Sequence, residues 1–187
     1  IGPVEDRRSS MLGSNDLFSG LGALAESRNL ENDINSLNSF SLIATTIKNL
    51  NLEIGYFAGK NSFLQKSAQV YLGNPYTVTL DKSHIQPINT RFQIEILDDH
   101  SYRLTASEDE AAYYNFIDNA IVSEKNVLRI DTICPFNETV SSYNYKFSVT
   151  LNRDSYNPQT AKETDFFFEF YHLDQLTKSY LKRLKVE

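Results

Sequence analysis

The feature that most constrains the fold is a series of segments in which apolar and polar residues alternate. Residues 91–97 place Phe92, Ile94 and Ile96 on one side, and residues 101–106 do the same with Tyr102, Leu104 and Ala106. A period of two is typical of strands that bury one face. The same pattern predicts strands over residues 76–80, 127–133 and 143–151. The chain is therefore expected to contain an antiparallel sheet.

Two further segments are predicted to pair within or beside that sheet. Residues 52–58 and 62–71 flank Gly59-Lys60-Asn61, and this composition is typical of a hairpin turn. Residues 165–171 contain Phe166, Phe167 and Phe168 in succession. A strand that is apolar on both faces indicates a central position in its sheet.

Helices are predicted at both ends of the strand region. Apolar residues recur at helical spacing over residues 29–50, namely Leu30, Ile34, Leu37, Ile43, Ile47 and Leu50. The Ser- and Asn-rich stretch 36–41 predicts a kink, or a new N-cap at Asn38 or Ser39. A last helix is predicted from Asp174 as N-cap, with Lys182, Arg183 and Lys185 at its carboxyl end.

Together these elements predict an α+β fold: an antiparallel (mixed) sheet with hairpins, on one face of which an N-terminal kinked helix and a C-terminal helix pack. With 187 residues the chain is long enough for one core. We expect a single domain over residues 29–187. We expect residues 1–28 to form a flexible loop segment, since four of the seven glycines lie there.

The glycine-rich segment also carries apolar side chains for which a solvated loop has little use. They are Leu12, Leu17, Phe18, Leu21 and Leu24. Two interpretations stay open: these residues pack locally on their own domain, or they contact an adjacent copy of the chain.

Residues 12–57 resemble the periplasmic part of bacterial polysaccharide chain-length determinants, the Wzz-type polysaccharide co-polymerases and related tyrosine autokinases. In that family a small-residue loop precedes a helix of the pattern L-x-N-E-I-x-x-L-x-S-x-x-L. The matching residues are Leu30, Asn32, Asp33, Ile34, Leu37, Ser39 and Leu42, with Asp33 where the family usually carries Glu. Asn74-Pro75-Tyr76, the turn at Asp81-Lys82-Ser83-His84 and the closing helix look like the Bacteroidetes-type version of the domain.

The resemblance implies a cellular location for the domain and a role in polysaccharide assembly. Such domains lie in the periplasm between two inner-membrane helices, assemble as homo-oligomers, and act with polymerase and export machinery on O-antigen, lipopolysaccharide, capsule or exopolysaccharide. The resemblance therefore implies that the segment 1–28 is membrane-proximal. In the autokinase relatives a cytoplasmic tyrosine kinase domain follows the second membrane helix. The resemblance implies no catalytic residue, no cofactor and no metal for this domain.

Composition excludes other partners and chemistries. The net charge is −6 and the basic residues are scattered, so nucleic acid is not an expected partner. Cys134, the lone cysteine, is expected to be a small buried residue in a strand. No apolar run reaches 18 residues, so these residues are not expected to span a bilayer.

The sequence contains few residues whose spacing is typical of a metal-binding site. His84, His100 and His172 lie in separate turns or strand ends without metal-ligand spacing. The run Glu108-Asp109-Glu110 is expected to be a solvated acidic face.

Two alternatives to a scaffold remain. One is a carbohydrate-binding module, suggested by eleven Tyr and twelve Phe. The other is a glycan-acting enzyme, which would need two carboxylates about 5 to 10 Å apart in a cleft.

Overall fold

The computed structural model describes residue 35, residues 39–60 and residues 67–184. That part of the chain contains three short helices and ten strands, and strands predominate. In chain order they are α1 (Phe40–Asn49), β1 (Ile54–Lys60), β2 (Ala68–Gln69), β3 (Tyr76–Leu80), β4 (Gln86–Ile88), β5 (Phe92–Ile96), β6 (Ser101–Asn115), β7 (Ala120–Pro135), β8 (Thr139–Ser142), β9 (Tyr145–Leu151), α2 (Pro158–Glu163), β10 (Thr164–Phe170) and α3 (Leu173–Arg183).

The strands form two antiparallel sheets. The larger sheet runs in the order β2, β1, β10, β5, β6, and β6 also pairs with β4 and β7. Since β5 and β7 both pair with residues 102–106, they lie on opposite sides of β6, and β7 forms an edge of the sheet. The smaller sheet has the order β3, β9, β8.

The main core lies between the two sheets. Phe92 of β5 stacks on Phe168 of β10 with ring centroids 4.7 Å apart, and both rings meet the edge of Phe147 from β9. Tyr76, Val78 and Val149 of the smaller sheet are buried in the same cluster. The side chains of two sheets therefore cover each other, as in sandwich folds.

The predicted fold class is wrong, because it assigned helices to the sheet face that a second sheet covers. The chain is mostly antiparallel sheet in two layers, and it is not an α+β fold with an N-terminal kinked helix and a C-terminal helix packed on one sheet face. Alternation shows that one face of a strand is buried but not which element covers it. The smaller sheet takes the place that we assigned to helices.

The helices instead form a small separate cluster. α1 and α3 pack against each other through Ile43, Ile47 and Leu173. α1 begins after Ser39, whose Oγ accepts a hydrogen bond from the Leu42 amide at 3.1 Å, so the prediction of a new N-cap there is confirmed. The predicted kink and most of residues 29–38 lie outside the described residues.

α1 and α3 are neighbours in the fold. Four residues separate α1 from β1, α3 begins just after β10, and β1 and β10 pair with Ile54 opposite Phe170. The carboxyl end of α1 and the amino end of α3 therefore lie at the same end of the β1–β10 pair.

Several element predictions are confirmed, and several bounds differ. β10 is central, between β1 and β5, and Cys134 is buried in β7. The β6–β7 hairpin extends well beyond the predicted 101–106 and 127–133, because irregular register between Glu108 and Tyr114 breaks the alternation.

One helix boundary was predicted incorrectly, and one helix was missed. α3 is capped by His172 rather than Asp174, which lies in the first turn. α2 was not predicted, although Asn157 as N-cap followed by Pro158 is a start signal.

Candidate functional site

A groove of about 500 Å³ lies where β1 and the segment 70–74 face the outer edge of β3. Among the described residues β3 pairs only with β9, so the two sheets are not joined by backbone hydrogen bonds on this side. The groove is lined by aliphatic side chains together with polar and aromatic ones. They include Asn51, Glu53, Tyr56, Tyr71, Asn74, Tyr76, Thr77, Lys82 and Asn152.

Glu53 is a buried carboxylate at this groove, with only 4% of its surface exposed. It follows a tight turn after α1 in which Asn51 adopts a φ of 51°, a conformation that Asn tolerates. Its carboxylate forms an ion pair with Lys82, whose side chain is about half exposed. The pair places opposite charges side by side and leaves no unneutralised charge at Glu53.

Tyr56 connects β1 to the edge of β3. Its hydroxyl oxygen accepts a hydrogen bond from the Val78 amide at 3.0 Å, and its ring meets Tyr76 edge-on at 5.7 Å. Burial raises the pKa of Tyr56 above its ordinary value, so the phenol is neutral at physiological pH. This contact satisfies an N–H group at a strand edge beside which the described residues place no further strand.

Two buried polar atoms near Tyr56 have no hydrogen-bond partner among the described residues. They are the hydroxyl of Tyr76, a residue with no exposed surface, and Oδ1 of Asn74. The amide nitrogen of Asn74 donates to the Tyr76 carbonyl, while Asn152 donates to the Asn74 carbonyl at 2.9 Å. Burial raises the pKa of Tyr76 well above its ordinary value. One donor and one acceptor are thus left unused beside the groove.

The lining of the groove limits its chemistry. Glu53 is its only carboxylate among the described lining residues, and it is already paired with Lys82. The two carboxylates that glycoside hydrolysis needs are therefore not brought together here. Exposed Tyr71, with neighbouring amide and hydroxyl groups, suits a neutral polar ligand such as a sugar.

The histidines noted in the sequence do not converge. His172 caps α3, with Nδ1 accepting from the Gln175 amide at 3.3 Å, and burial lowers its pKa. His84 Nδ1 lies 2.8 Å from the Ile85 carbonyl oxygen. His100 lies in an exposed turn with Asp98 and Asp99, and these three could hold a cation.

The turn has a structural explanation of its own. Asp98 Oδ1 accepts hydrogen bonds from the amides of His100 and Ser101, and these bonds lower the pKa of Asp98. In the run 108–110, Asp109 pairs with Arg129 across the β6–β7 hairpin.

Most residues of the predicted contact segment and helix motif lie outside the described residues. This holds for Leu12, Leu17, Phe18, Leu21, Leu24, Leu30, Asn32, Asp33, Ile34 and Leu37. Of the motif, Ser39 caps α1 and Leu42 is exposed on it. The assignments of protomer contact and of domain bounds stay predictions.

The sequence did not indicate the groove. Glu53 and Lys82 are 29 positions apart, in segments predicted as a strand and a turn. Tyr56 and Tyr76 have the alternating pattern of ordinary core residues. Only a tertiary structure shows that these side chains face one space.

None of the described helices is long and apolar enough to cross a membrane. Comparison of the chain with protein-family models, with characterised proteins and with solved structures gives no match.

Proposed function

We propose that this chain is the extracytoplasmic scaffold domain of an inner-membrane polysaccharide co-polymerase, which controls the chain length or export of O-antigen, capsule or exopolysaccharide. The proposal begins from the resemblance over residues 12–57. The expected α+β fold does not contribute to it, because that expectation was wrong.

The observation that carries the proposal is the contact between α1 and α3. A domain held between two membrane helices must receive and return the chain on one side. α1 and α3 pack against each other and the strands that adjoin them, β1 and β10, are paired, so the amino-terminal and carboxyl-terminal elements of the described domain lie side by side. Close termini also occur in other domains, so the resemblance is needed to connect this geometry with a membrane.

The proposed mechanism is structural. Copies of the chain contact each other through the segment 12–28 and the helix within residues 29–50, and the resulting assembly surrounds the polymerase. Phe40, Leu42 and Leu50 of this helix region are exposed apolar side chains, which supports a contact there.

The test uses cells that make a surface polysaccharide with this protein. We expect deletion of the gene to change the length distribution of the polymer on gels, and the wild-type gene to restore it. The Leu42→Asp variant should restore it poorly, since a charge would enter the contact, and Leu17→Asp should behave likewise.

Leu97→Asp provides a matched control. Leu42 and Leu97 are each 43% exposed, but Leu97 lies near the β5–β6 turn, far along the chain from the proposed contact. An unchanged polymer length after gene deletion would overturn the proposal. Equal effects of Leu42→Asp and Leu97→Asp would overturn the assigned contact.

A second candidate function, carbohydrate binding, is favoured by the groove beside β3. The ring of exposed Tyr71 could stack on a sugar face, and the amide and hydroxyl side chains that line the groove could bind sugar hydroxyls. Titration with purified oligosaccharides should then shift NMR signals of residues 70–79.

The Tyr71→Ala variant should weaken this binding, whereas Tyr143→Ala should not, because Tyr143 is an exposed tyrosine on the β8–β9 turn. Signal changes that spread evenly over the surface, or that survive Tyr71→Ala, would argue against the groove.

A further inference from the structure

The outer edge of β7 is a long strand edge that the described residues leave uncovered. β7 has 16 residues and, among described strands, pairs only with β6. A groove of about 420 Å³ runs beside this edge, lined by consecutive residues 129–135 and, across from them, by residues 138–141 of the β8 region. Unpaired backbone N–H and C=O groups at such an edge are a template for another strand.

The regular part of this edge lacks the bulges, prolines and glycines that interrupt strand pairing. From Leu128 to Pro135 the register with β6 is continuous, from Glu108 to Ser101. The irregular register is confined to the far half of the hairpin, and between residues 127 and 134 the strand contains neither Pro nor Gly. Charged side chains also protect strand edges, but the two charges on this one, Arg129 and Asp131, are already neutralised by ion pairs with β6.

The exposed face of this strand is complementary to itself. Val127, Arg129, Asp131 and Ile133 follow one another on the exposed side, and Leu128 and Ile130 are buried on the other side. If a second copy of β7 is placed antiparallel about Ile130, Val127 faces Ile133 of that copy and Arg129 faces Asp131. In this register each residue pairs with a residue on the same face of the joined sheet, as strand pairing requires.

The charges on neighbouring strands extend this pattern. Arg103 of β6 forms two hydrogen bonds with Asp131, of 2.7 and 2.8 Å, and Arg129 forms an ion pair with Asp109. Across the joined strands the order of charges would be Arg103, Asp131, then Arg129 and Asp109 of the other copy. Opposite charges alternate through the whole row, which favours this register over its neighbours.

We propose that β7 is a binding surface for a second copy of this chain, and that two copies join antiparallel through their β7 edges, centred on Ile130, into one continuous sheet. The partner is identified by the self-complementary order of apolar, basic, acidic and apolar residues. The contact differs from the one proposed for residues 12–50, and it holds whether or not the proposed function is correct.

The first test measures the oligomeric state of this chain by sedimentation velocity from about 10 μM to about 1 mM, because a single edge contact is at the weak end of protein interfaces. We expect a reversible dimer that weakens as salt is raised. A monomer over the whole range would overturn the proposal.

Charge substitutions at the two apolar positions test the register. Val127 and Ile133 are 64% and 66% exposed, so charged residues are tolerated there in the monomer. Val127→Lys alone or Ile133→Glu alone should weaken the dimer about tenfold or more. The double variant should recover much of that loss, since each Lys would then face a Glu of the other copy.

This recovery is specific to the two-fold register. Positions 127 and 133 are six residues apart on one strand, about 20 Å, so they cannot pair within one copy. A double variant as weak as the single ones would overturn the proposed pairing. Tyr143→Lys, on the exposed β8–β9 turn, is the control that should leave the dimer unchanged.

A cysteine cross-link provides a second measurement in case a charge disturbs the fold. In a Cys134→Ala background, Val127→Cys combined with Ile133→Cys should give a covalent dimer on oxidation, because opposed residues in antiparallel strands lie within disulfide distance. Either cysteine alone should give little covalent dimer. Equal cross-linking by the single and double variants would contradict the register.

Discussion

Single buried side chains connect the two sheets at the residue scale. Gln86 of β4 is fully buried, and its amide nitrogen donates to the carbonyls of Asp81 and Lys146 at 2.9 and 2.7 Å. Its amide oxygen accepts from the Lys146 amide at 3.0 Å. One side chain therefore satisfies backbone groups of β9 from a strand of the other sheet.

We expect Gln86→Met to lower the free energy of unfolding by about 2–4 kcal/mol, because it preserves volume but leaves buried backbone groups unpaired. Urea unfolding checks this value. Gln159→Met, at an exposed position of α2, should change the free energy of unfolding by less than about 0.5 kcal/mol. Similar losses in the two variants would contradict the role assigned to Gln86.

Asp81 offers a prediction about pH. Hydrogen bonds from Ser83, and then the Lys146 ammonium at 2.9 Å, lower the pKa of Asp81 from 3.8 to about 2. A lowered pKa means that the folded state favours the carboxylate. The stabilisation is therefore present above pH 3.8 and is lost as the pH falls towards 2.

NMR titration of the Asp81 carboxyl should give a midpoint near 2, and Ser83→Ala should raise it towards 3.8. Ser101→Ala should instead raise the pKa of Asp98, to which Ser101 donates, and leave that of Asp81 unchanged. A midpoint for Asp81 that does not respond to Ser83→Ala would show that the Ser83 hydroxyl does not donate a hydrogen bond to this carboxylate.

At the element scale the helix pair and the sheets form separate clusters. α1 and α3 bury Ile43, Ile47 and Leu173 in a small cluster of their own, while the strands share the large core. Small clusters open at lower free energy than the main core.

We expect amide hydrogen exchange to show lower protection in α1 and α3 than in β5 and β10. Ile47→Ala should lower protection of both helices together by about 2–4 kcal/mol, because a residue with 2% exposure leaves a cavity. Leu50→Ala, at an exposed position just after α1, should have little effect. Equal loss of protection in β5 would show that helices and sheets open as one unit.

At the scale of the whole molecule, one aromatic core joins the sheets. Phe168 lies between Phe92 of its own sheet and Phe147 of the other, and it has no exposed surface. Because neither sheet has a second core among the described residues, both should unfold in one cooperative transition.

We expect Phe168→Ala to lower the free energy of unfolding by about 3–5 kcal/mol and Phe168→Leu by less, with each variant still unfolding in a single step. Coincident transitions in near- and far-ultraviolet circular dichroism check this. Phe40→Ala, at an exposed position of α1, should cost far less. Two separate transitions in the wild type would contradict the shared core.

Local pattern was sufficient for most strands but not for their arrangement. Residues 76–80 were predicted with the bounds of β3, and three successive phenylalanines indicated the central β10. The β6–β7 hairpin was predicted too short, since irregular pairing disrupts the period of two. The Glu53–Lys82 pair had no local signal, because 29 residues separate its members.

The sequence by itself indicated most of the strands, a helix start near Ser39 and the apolar face of each alternating strand, because these properties depend on neighbours along the chain. Only the tertiary structure decided that a second sheet covers those apolar faces, that Tyr56 and Tyr76 line one groove, and that β7 is an edge. Burial is a property of contacts between distant segments. Alternation requires a partner for each face, but several partners satisfy it equally well.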